Sequence, residues 1–227
     1  MQASDAIVFL FDCDNTLLDN DRVQDDLRLL LERDFGKAAC ERYWQIFEDL
    51  RARLGYADYL QALQHLRPEV GNDPRLLEVS AFLLDYPFAE RLYPGALDML
   101  ERVHAYSTPA VLSDGDVVFQ PHKIHRAGLW NAVAGRVLIY VHKERELDDI
   151  QARLPAQHYI MVDDKPRILA AMKAVLGERL TTVSVHQGHY ARQPEGAAAP
   201  VADMNLEHIS DLRGLDRAAL VEAARPG

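Results

Sequence analysis

Six residues that could do chemistry lie just after short apolar runs, in separate parts of the chain. They are, in chain order, Asp12, Asp14, Ser113, Lys143, Asp163 and Asp164. Four carboxylates that meet in one crevice cannot all stay ionised without a cation, because their mutual repulsion raises their pKa values or loosens the fold. Oxygen ligands without a cluster of His or Cys suit Mg²⁺. The residue types therefore predict a Mg²⁺ site made by the four aspartates.

The apolar runs are the elements that must position these residues. They cover residues 6–11, 109–112, 137–141, 159–162 and 181–185, each too short for a helix of ordinary length, and helical patterns separate them. Strand–helix repetition predicts a doubly wound, Rossmann-like parallel sheet of about five strands. The carboxyl ends of such strands line the ligand crevice. Asp12 and Asp14 fall at that edge, although Asp-x-Asp-Asn-Thr could also simply cap a turn.

A long segment between the first two predicted strands has no strand pattern. Tyr43, Phe47, Leu50 and Leu54 recur there at helical spacing. We therefore predict a helical cap over residues 19–90, inserted into a core formed by residues 1–18 and 91–227. Turn-forming residues at both ends of the insert predict hinges, and residues 192–204 are predicted to form a loop.

Composition narrows the class of protein. The chain has 227 residues, 48% of them hydrophobic, and a net charge of −10, so it can bury a core and on average repels polyanions. We expect a small-molecule substrate rather than nucleic acid or a membrane, with the oligomeric state left open. The two cysteines, Cys13 and Cys40, form no pairing motif, and no targeting signal is evident, so we expect a cytoplasmic protein.

Four short motifs together resemble those of one enzyme family. They are Asp-Cys-Asp-Asn-Thr at 12–16, Ser113 in VLSDG, Lys143 in VHKE, and Asp163–Asp164 in MVDDKP. In this order the sequence resembles the haloacid dehalogenase-like hydrolases, chiefly their Mg²⁺-dependent phosphatases. A subgroup of that family carries a helical cap where this chain has its insert. The resemblance implies a phosphatase for a small phosphorylated metabolite.

The resemblance also implies a role for each carboxylate. Asp12 would attack phosphorus and become an aspartyl phosphate, while Asp14 would protonate the leaving alcohol and then take a proton from water. Mg²⁺ would be bound by Asp12, by the backbone carbonyl of Asp14 and by Asp164. Asp163 would bind the ion directly or support a ligand.

Phosphate binding is implied for a second set of groups. Ser113 and the backbone N–H groups of Asp114 and Gly115 would hold phosphate oxygens, and Lys143 would balance the negative charge. Lys123 and Lys165 compete with Lys143 for that role. We favour Lys143 because it follows a strand directly, and we expect Lys123 on a helix surface.

Three alternatives remain open. A 2-haloacid dehalogenase shares the nucleophile, but the family pattern then replaces the second carboxylate of the first loop and needs no Mg²⁺, which Asp14, Asp163 and Asp164 argue against. Phosphorylatable receiver modules carry similar groups in a different order and have no cap. A non-catalytic phosphate- or Mg²⁺-binding regulatory protein is compatible with the same residues.

Overall fold

A parallel β-sheet forms the centre of the protein. The computed structural model describes residues 7–189, 202–215 and 217–223, except for the Arg217 side chain. Within these residues the sheet has six strands in the order β3-β2-β1-β4-β5-β6, and every pair is parallel. The strands are β1 (Ile7–Phe11), β2 (Thr108–Asp114), β3 (Val137–Tyr140), β4 (His158–Asp163), β5 (Leu180–Val185) and β6 (Met204–Leu206).

Strand β6 is the one difference from the predicted sheet. The doubly wound α/β architecture is confirmed, but β6 adds a sixth strand that pairs through Val183–Met204 and Val185–Leu206. Three residues are too few to show an alternating pattern, so the sequence gives no strand signal there. Residues 192–201 of the predicted loop lie outside the described residues, and its last residue, Met204, begins β6.

Ten α-helices accompany the sheet in the described part of the chain. They are α1 (Asn20–Phe35), α2 (Lys37–Leu54), α3 (Tyr59–Leu66), α4 (Leu76–Asp85), α5 (Ala96–His104), α6 (Phe119–Arg126), α7 (Leu129–Ala132), α8 (Leu147–Arg153), α9 (Pro166–Leu176) and α10 (Arg217–Glu222). Short 3₁₀ helices cover Phe88–Arg91, Lys143–Arg145, Gly177–Arg179 and Ile209–Gly214. In the described segments, no helix combines the length and apolar character that a membrane crossing needs.

The sheet is buried on both faces, which explains why its strands are continuous apolar runs. Successive side chains of a strand point to opposite faces. In β1, Phe9 and Phe11 join the apolar cluster on one face, and Val8 and Leu10 join the cluster on the other. The strand ends are therefore held rigidly by packing, and so are the polar residues that follow them.

Helices α1–α4 occupy the insert between β1 and α5 and form the cap. The chain enters the cap through residues 17–19 and leaves it through residues 91–93. These two segments pair side by side: the N–H of Asp19 donates to the carbonyl of Arg91 at 2.8 Å, and the N–H of Tyr93 donates to that of Leu17 at 3.0 Å. We call this pair the hinge ribbon.

Aromatic side chains join the cap to the rest of the protein. The Tyr59 ring of α3 lies 4.8 Å from Phe47 of α2 and 5.3 Å from Phe119 of α6, measured between ring centroids. All three rings belong to the apolar cluster that also covers one sheet face. The cap therefore packs onto the carboxyl ends of the strands, where the polar residues lie.

Candidate active site

Three aspartates meet where the strand order reverses. β1 lies between β2 and β4, and ligands of open α/β sheets bind at such a switch point. Asp12 follows β1, Asp163 ends β4, and Asp164 comes next. One carboxylate oxygen from each of the three lies within 4.8 Å of the others, and all three side chains are buried.

Lys143 lies inside this cluster. It has no exposed surface, its Nζ contacts Asp12 Oδ1, and Nζ is 2.7 Å from Asp163 Oδ2 and 3.2 Å from the carbonyl of Leu112. Burial disfavours its charge, but the carboxylates of Asp12 and Asp163 outweigh burial and raise the pKa of Lys143. The structure thus places Lys143, the lysine favoured from sequence, between the carboxylates.

The site shifts the pKa values of the three carboxylates in different directions. Burial alone would raise the pKa of Asp12, but the ammonium groups of Lys143 and Lys165 hold that pKa below its ordinary value. Burial raises the pKa of Asp163, and it raises the pKa of Asp164 well above the ordinary range. Of the three, Asp12 is the carboxylate whose ionised form the surroundings favour.

The carboxylate oxygens of Asp164 are available to bind a metal ion. Its backbone N–H donates to Thr16 Oγ1 at 3.1 Å, which ties the acidic pair to the first loop. Both of its carboxylate oxygens are buried, and neither has a hydrogen-bond partner among the described residues; the same holds for Asp12 Oδ2. Buried carboxylate oxygens normally have partners. An oxygen-ligated cation bound by Asp12, Asp163 and Asp164 fits this arrangement.

Asp14 points away from the three aspartates. Its Oδ1 lies 2.5 Å from Lys123 Nζ, and its Oδ2 accepts a hydrogen bond from Gln120 at 3.2 Å. About a quarter of its side chain is exposed (25%), and it lines the cleft below the cap. Its carboxylate is not part of the three-aspartate cluster; the ligand that the resemblance implies is its backbone carbonyl.

The expectation that Lys123 lies on a helix surface is wrong. Lys123 is completely buried, and although burial disfavours its charge, Asp14 raises its pKa. Sequence reasoning also missed Gln120, one turn earlier on α6. The sequence contains a weak signal for this. Gln120 and Lys123 are three residues apart, so a helix places both side chains on one face, and the buried apolar residues Phe119 and Ile124 flank them in the sequence.

The predicted phosphate-binding segment begins with the last two residues of β2, Ser113 and Asp114. Ser113 is buried, and its Oγ accepts a hydrogen bond from Gln120 at 2.9 Å. The side chain of Asp114 accepts from the backbone N–H of Lys143 at 2.8 Å, which links the ends of β2 and β3. The N–H of Gly115 donates to the carbonyl of Tyr140 at 3.0 Å, so in this conformation that donor is already engaged.

Lys165, the third candidate lysine, also faces the carboxylates. Its side chain is half-buried, and the carboxylates of Asp12 and Asp164 raise its pKa against the effect of burial. It lines a cleft of about 120 Å³ between the cap and the sheet edge, together with Asp14 and residues of the cap. A cavity of about 580 Å³ beside the hinge ribbon is larger, but none of the predicted site residues lines it.

Comparisons with known proteins agree with this geometry. The profile of the haloacid dehalogenase-like hydrolases matches residues 8–175. A crystal structure described as a haloacid dehalogenase-like hydrolase from Burkholderia xenovorans LB400 is 59% identical, with a TM-score of 0.88; the match covers 93% of this chain and 99% of that one. No significant match was found among curated proteins.

More distant structures share the fold. An L-2-haloacid dehalogenase from Xanthobacter autotrophicus is 19% identical, with a TM-score of 0.59, over 92% of this chain and 97% of that one. A magnesium-bound HAD hydrolase from Bacillus subtilis is 15% identical, with a TM-score of 0.60, over 93% and 98%. Fold, profile and the 59% identical structure together define the class: this chain belongs to the haloacid dehalogenase-like hydrolases.

Proposed function

We propose that this hydrolase is a Mg²⁺-dependent phosphatase that acts on a small phosphorylated metabolite through an aspartyl phosphate at Asp12. The observation that carries the proposal is the carboxylate cluster of Asp12, Asp163 and Asp164. In this cluster three buried oxygens, both of Asp164 and one of Asp12, have no hydrogen-bond partner in the described residues. A phosphatase of this kind needs a cation at that position, whereas a 2-haloacid dehalogenase does not.

Asp12, Asp163 and Asp164, with the backbone carbonyl of Asp14, would hold Mg²⁺. Bound there, the ion would supply positive charge that lets an anionic phosphate approach the anionic nucleophile. Lys143 already contacts Oδ1 of the Asp12 carboxylate, and Oδ2 has no hydrogen-bond partner among the described residues. Asp12 is thus oriented and ionised before any ligand arrives.

Asp12 and Asp14 divide the work of the two half-reactions. As the bond between Asp12 and phosphorus forms, the ester P–O bond breaks, and Asp14 gives a proton to the leaving oxygen. Water then attacks phosphorus, Asp14 takes a proton from that water, and the bond to Asp12 breaks to release inorganic phosphate. Asp14 lines the cleft, which is the place this role requires.

The cap supports a small substrate. The cleft between the cap and the carboxyl end of the sheet has a volume of about 120 Å³, well below the ~300–1,000 Å³ of typical ligand pockets. Larger leaving groups need the cap to move at the hinge ribbon. Closure of the cap also excludes bulk water from the aspartyl phosphate.

The dehalogenase alternative rests on the distant fold relatives that are dehalogenases. Structural similarity at less than 25% sequence identity supports a shared fold but not a shared reaction. The buried carboxylate oxygens of Asp164, which have no hydrogen-bond partner among the described residues, favour the phosphatase. A non-catalytic phosphate- or Mg²⁺-binding protein would keep the same cluster without turnover.

A substrate screen tests the proposal. Purified protein should release inorganic phosphate from members of a panel of phosphorylated metabolites, lose this activity with a chelator and regain it with Mg²⁺. The Asp12→Asn variant is the control for contaminating phosphatases. Halide release from a 2-haloacid that a chelator does not reduce would favour the dehalogenase. Phosphate binding without turnover would favour the regulatory protein.

A further inference from the structure

Lys123 is a fully buried lysine next to a residue that reaches the cleft. Its ammonium lies 2.5 Å from Asp14 Oδ1 and donates to Asn20 Oδ1 at 3.2 Å. Moving an ammonium out of water is costly unless it is paired and hydrogen-bonded, so its position depends on these two partners. Lys123 has no exposed surface, whereas Asp14 lines the cleft. Any effect of Lys123 on a ligand must therefore pass through its partners, Asp14 and Asn20, which both line the cleft.

Helix α6 holds the Asp14 carboxylate by both oxygens. Lys123 contacts Oδ1, and Gln120 donates to Oδ2 at 3.2 Å. One donor on each oxygen fixes the plane of the carboxylate as well as its position. Gln120 also donates to Ser113 Oγ at 2.9 Å, so the same helix relates Asp14 to the predicted phosphate-binding strand end.

Lys123 also reaches the cap. Asn20, the first residue of α1, accepts from Lys123 and donates to the hydroxyl of Tyr59 on α3 at 3.2 Å. Gln24, one turn further along α1, donates to the same hydroxyl at 3.0 Å. Three polar contacts therefore connect Asp14 to two helices of the cap.

We propose that Lys123 is a positioning residue that holds the Asp14 carboxylate at the cleft and couples its position to the docked cap through Asn20. This inference rests on the proposed function, in which Asp14 exchanges protons with the leaving oxygen and with water. A carboxylate that must serve two different oxygen atoms in succession needs a fixed position between them. Lys123 and Gln120 supply that position from a helix packed in the core.

A cycle of variants separates positioning from general stability. We compare the wild type, Lys123→Met, Asp14→Asn and the double variant on p-nitrophenyl phosphate with Mg²⁺. Lys123→Met should lower kcat by roughly 10- to 100-fold, part of the usual contribution of acid–base catalysis, with a smaller change in KM. In the Asp14→Asn background the same change should alter kcat by less than ~2-fold, because its effect passes through Asp14. An equal factor in both backgrounds would overturn the proposal.

Two further measurements do not use turnover. A crystal structure of metal-free Lys123→Met should show the Asp14 carboxylate displaced from its place in the wild type. In thermal unfolding, Asp14→Asn should lower Tm by leaving a buried ammonium unpaired, and adding Lys123→Met should restore part of the loss. An unmoved Asp14 in the crystal structure would refute the positioning role.

Lys173→Met is the matched control. Lys173 pairs with Asp203 at 2.8 Å, and neither residue lines the cleft described above. This variant should leave kcat unchanged in both backgrounds.

Asn20→Ala should give a smaller loss of kcat than Lys123→Met, with the same dependence on Asp14. If the wild type turns over no phosphate ester, the proposed function fails, and the crystal structure and the unfolding cycle still decide the role of Lys123.

Discussion

The Nζ atom of Lys143 lies 2.7 Å from Asp163 Oδ2, and neither side chain has any exposed surface. The same ammonium contacts Asp12, so one buried cation serves two buried carboxylates. Removing one member of such a group leaves charges in the interior without their counter-charge.

Lys143→Met should therefore destabilise the metal-free protein by roughly 3–5 kcal/mol, the usual cost of breaking a buried ion pair. Urea unfolding measures this free energy. Lys173→Met should cost much less, because the pair of Lys173 with Asp203 is partly exposed. Wild-type stability in Lys143→Met would contradict the assigned role of the buried ammonium.

Asp164→Asn should separate stability from metal binding. The Asp164 carboxylate is buried, and burial raises its pKa well above the ordinary range. Without metal, the neutral amide should leave Tm unchanged or raise it, because burial already disfavours the charged form of this carboxylate. Added Mg²⁺ should raise Tm in the wild type by binding the folded state, and this increase should disappear in the variant. Equal increases in both proteins would exclude Asp164 as a ligand.

Replacing Asp12 by asparagine and replacing Asp14 by asparagine should have different effects on turnover. Asp12→Asn should abolish turnover, because no aspartyl phosphate can form. Asp14→Asn should lower kcat by roughly 10²-fold or more while the carboxylate cluster stays intact. Phosphate release and mass spectrometry of the quenched enzyme measure both effects. Mild losses of similar size in the two variants would argue against the assignment.

Gly55 tests whether the cap must dock closely. It follows α2 with φ +86°, and a Cβ placed there would lie 2.8 Å from Nε2 of His142, just after β3. Gly36, at the end of α1, has φ +82° and no described atom within 4 Å of such a Cβ. Alanine at either position should cost roughly 1–3 kcal/mol through backbone strain.

Only Gly55→Ala should also lower kcat/KM, because either the His142 side chain or the cap must shift to admit the methyl group. Steady-state kinetics and Tm measured on both variants check this. Equal kinetic constants for Gly55→Ala and Gly36→Ala would show that close docking at this point is unnecessary.

Burial of His158 should make the folded protein less stable at acidic pH. It is buried at the start of β4 and contacts Thr181 Oγ1 through Nε2 at 2.8 Å; burial lowers its pKa from the usual 6.5, and Lys173 adds to the effect. Below pH 6.5 the unfolded chain takes up a proton that the folded protein resists, so stability falls with pH until the lowered pKa is reached. His158→Gln should reduce the loss of stability between about pH 7.5 and 5.5.

Urea unfolding at several pH values measures this contribution. A loss in His158→Gln as steep as in the wild type would assign the acid sensitivity to other groups.

The ends of β1 and β4 were predictable from sequence because these strands are buried on both faces and read as short apolar runs. Lys143 was favoured for the same reason: it lies three residues after the end of β3 and therefore had to reach the sheet edge. Lys123 was not predictable in this way. Its partner Asp14 is 109 residues earlier in the chain, and a lysine on a short helix is usually exposed. Only the packing of α6 against the cap and the sheet reveals that contact.

The hinge ribbon has a consequence for how this molecule can change over evolutionary time. Because residues 17–19 and 91–93 are hydrogen-bonded neighbours, the sheet is connected to the whole insert as if to one surface loop. The entropy of closing a loop grows only slowly with its length, by about 0.6 kcal/mol for each doubling. A shorter, longer or entirely different insert can therefore join the same two chain ends, and the strands and their aspartates need not move. New substrates can be recruited by exchanging the insert alone, while the aspartates at the ends of the strands stay where they are.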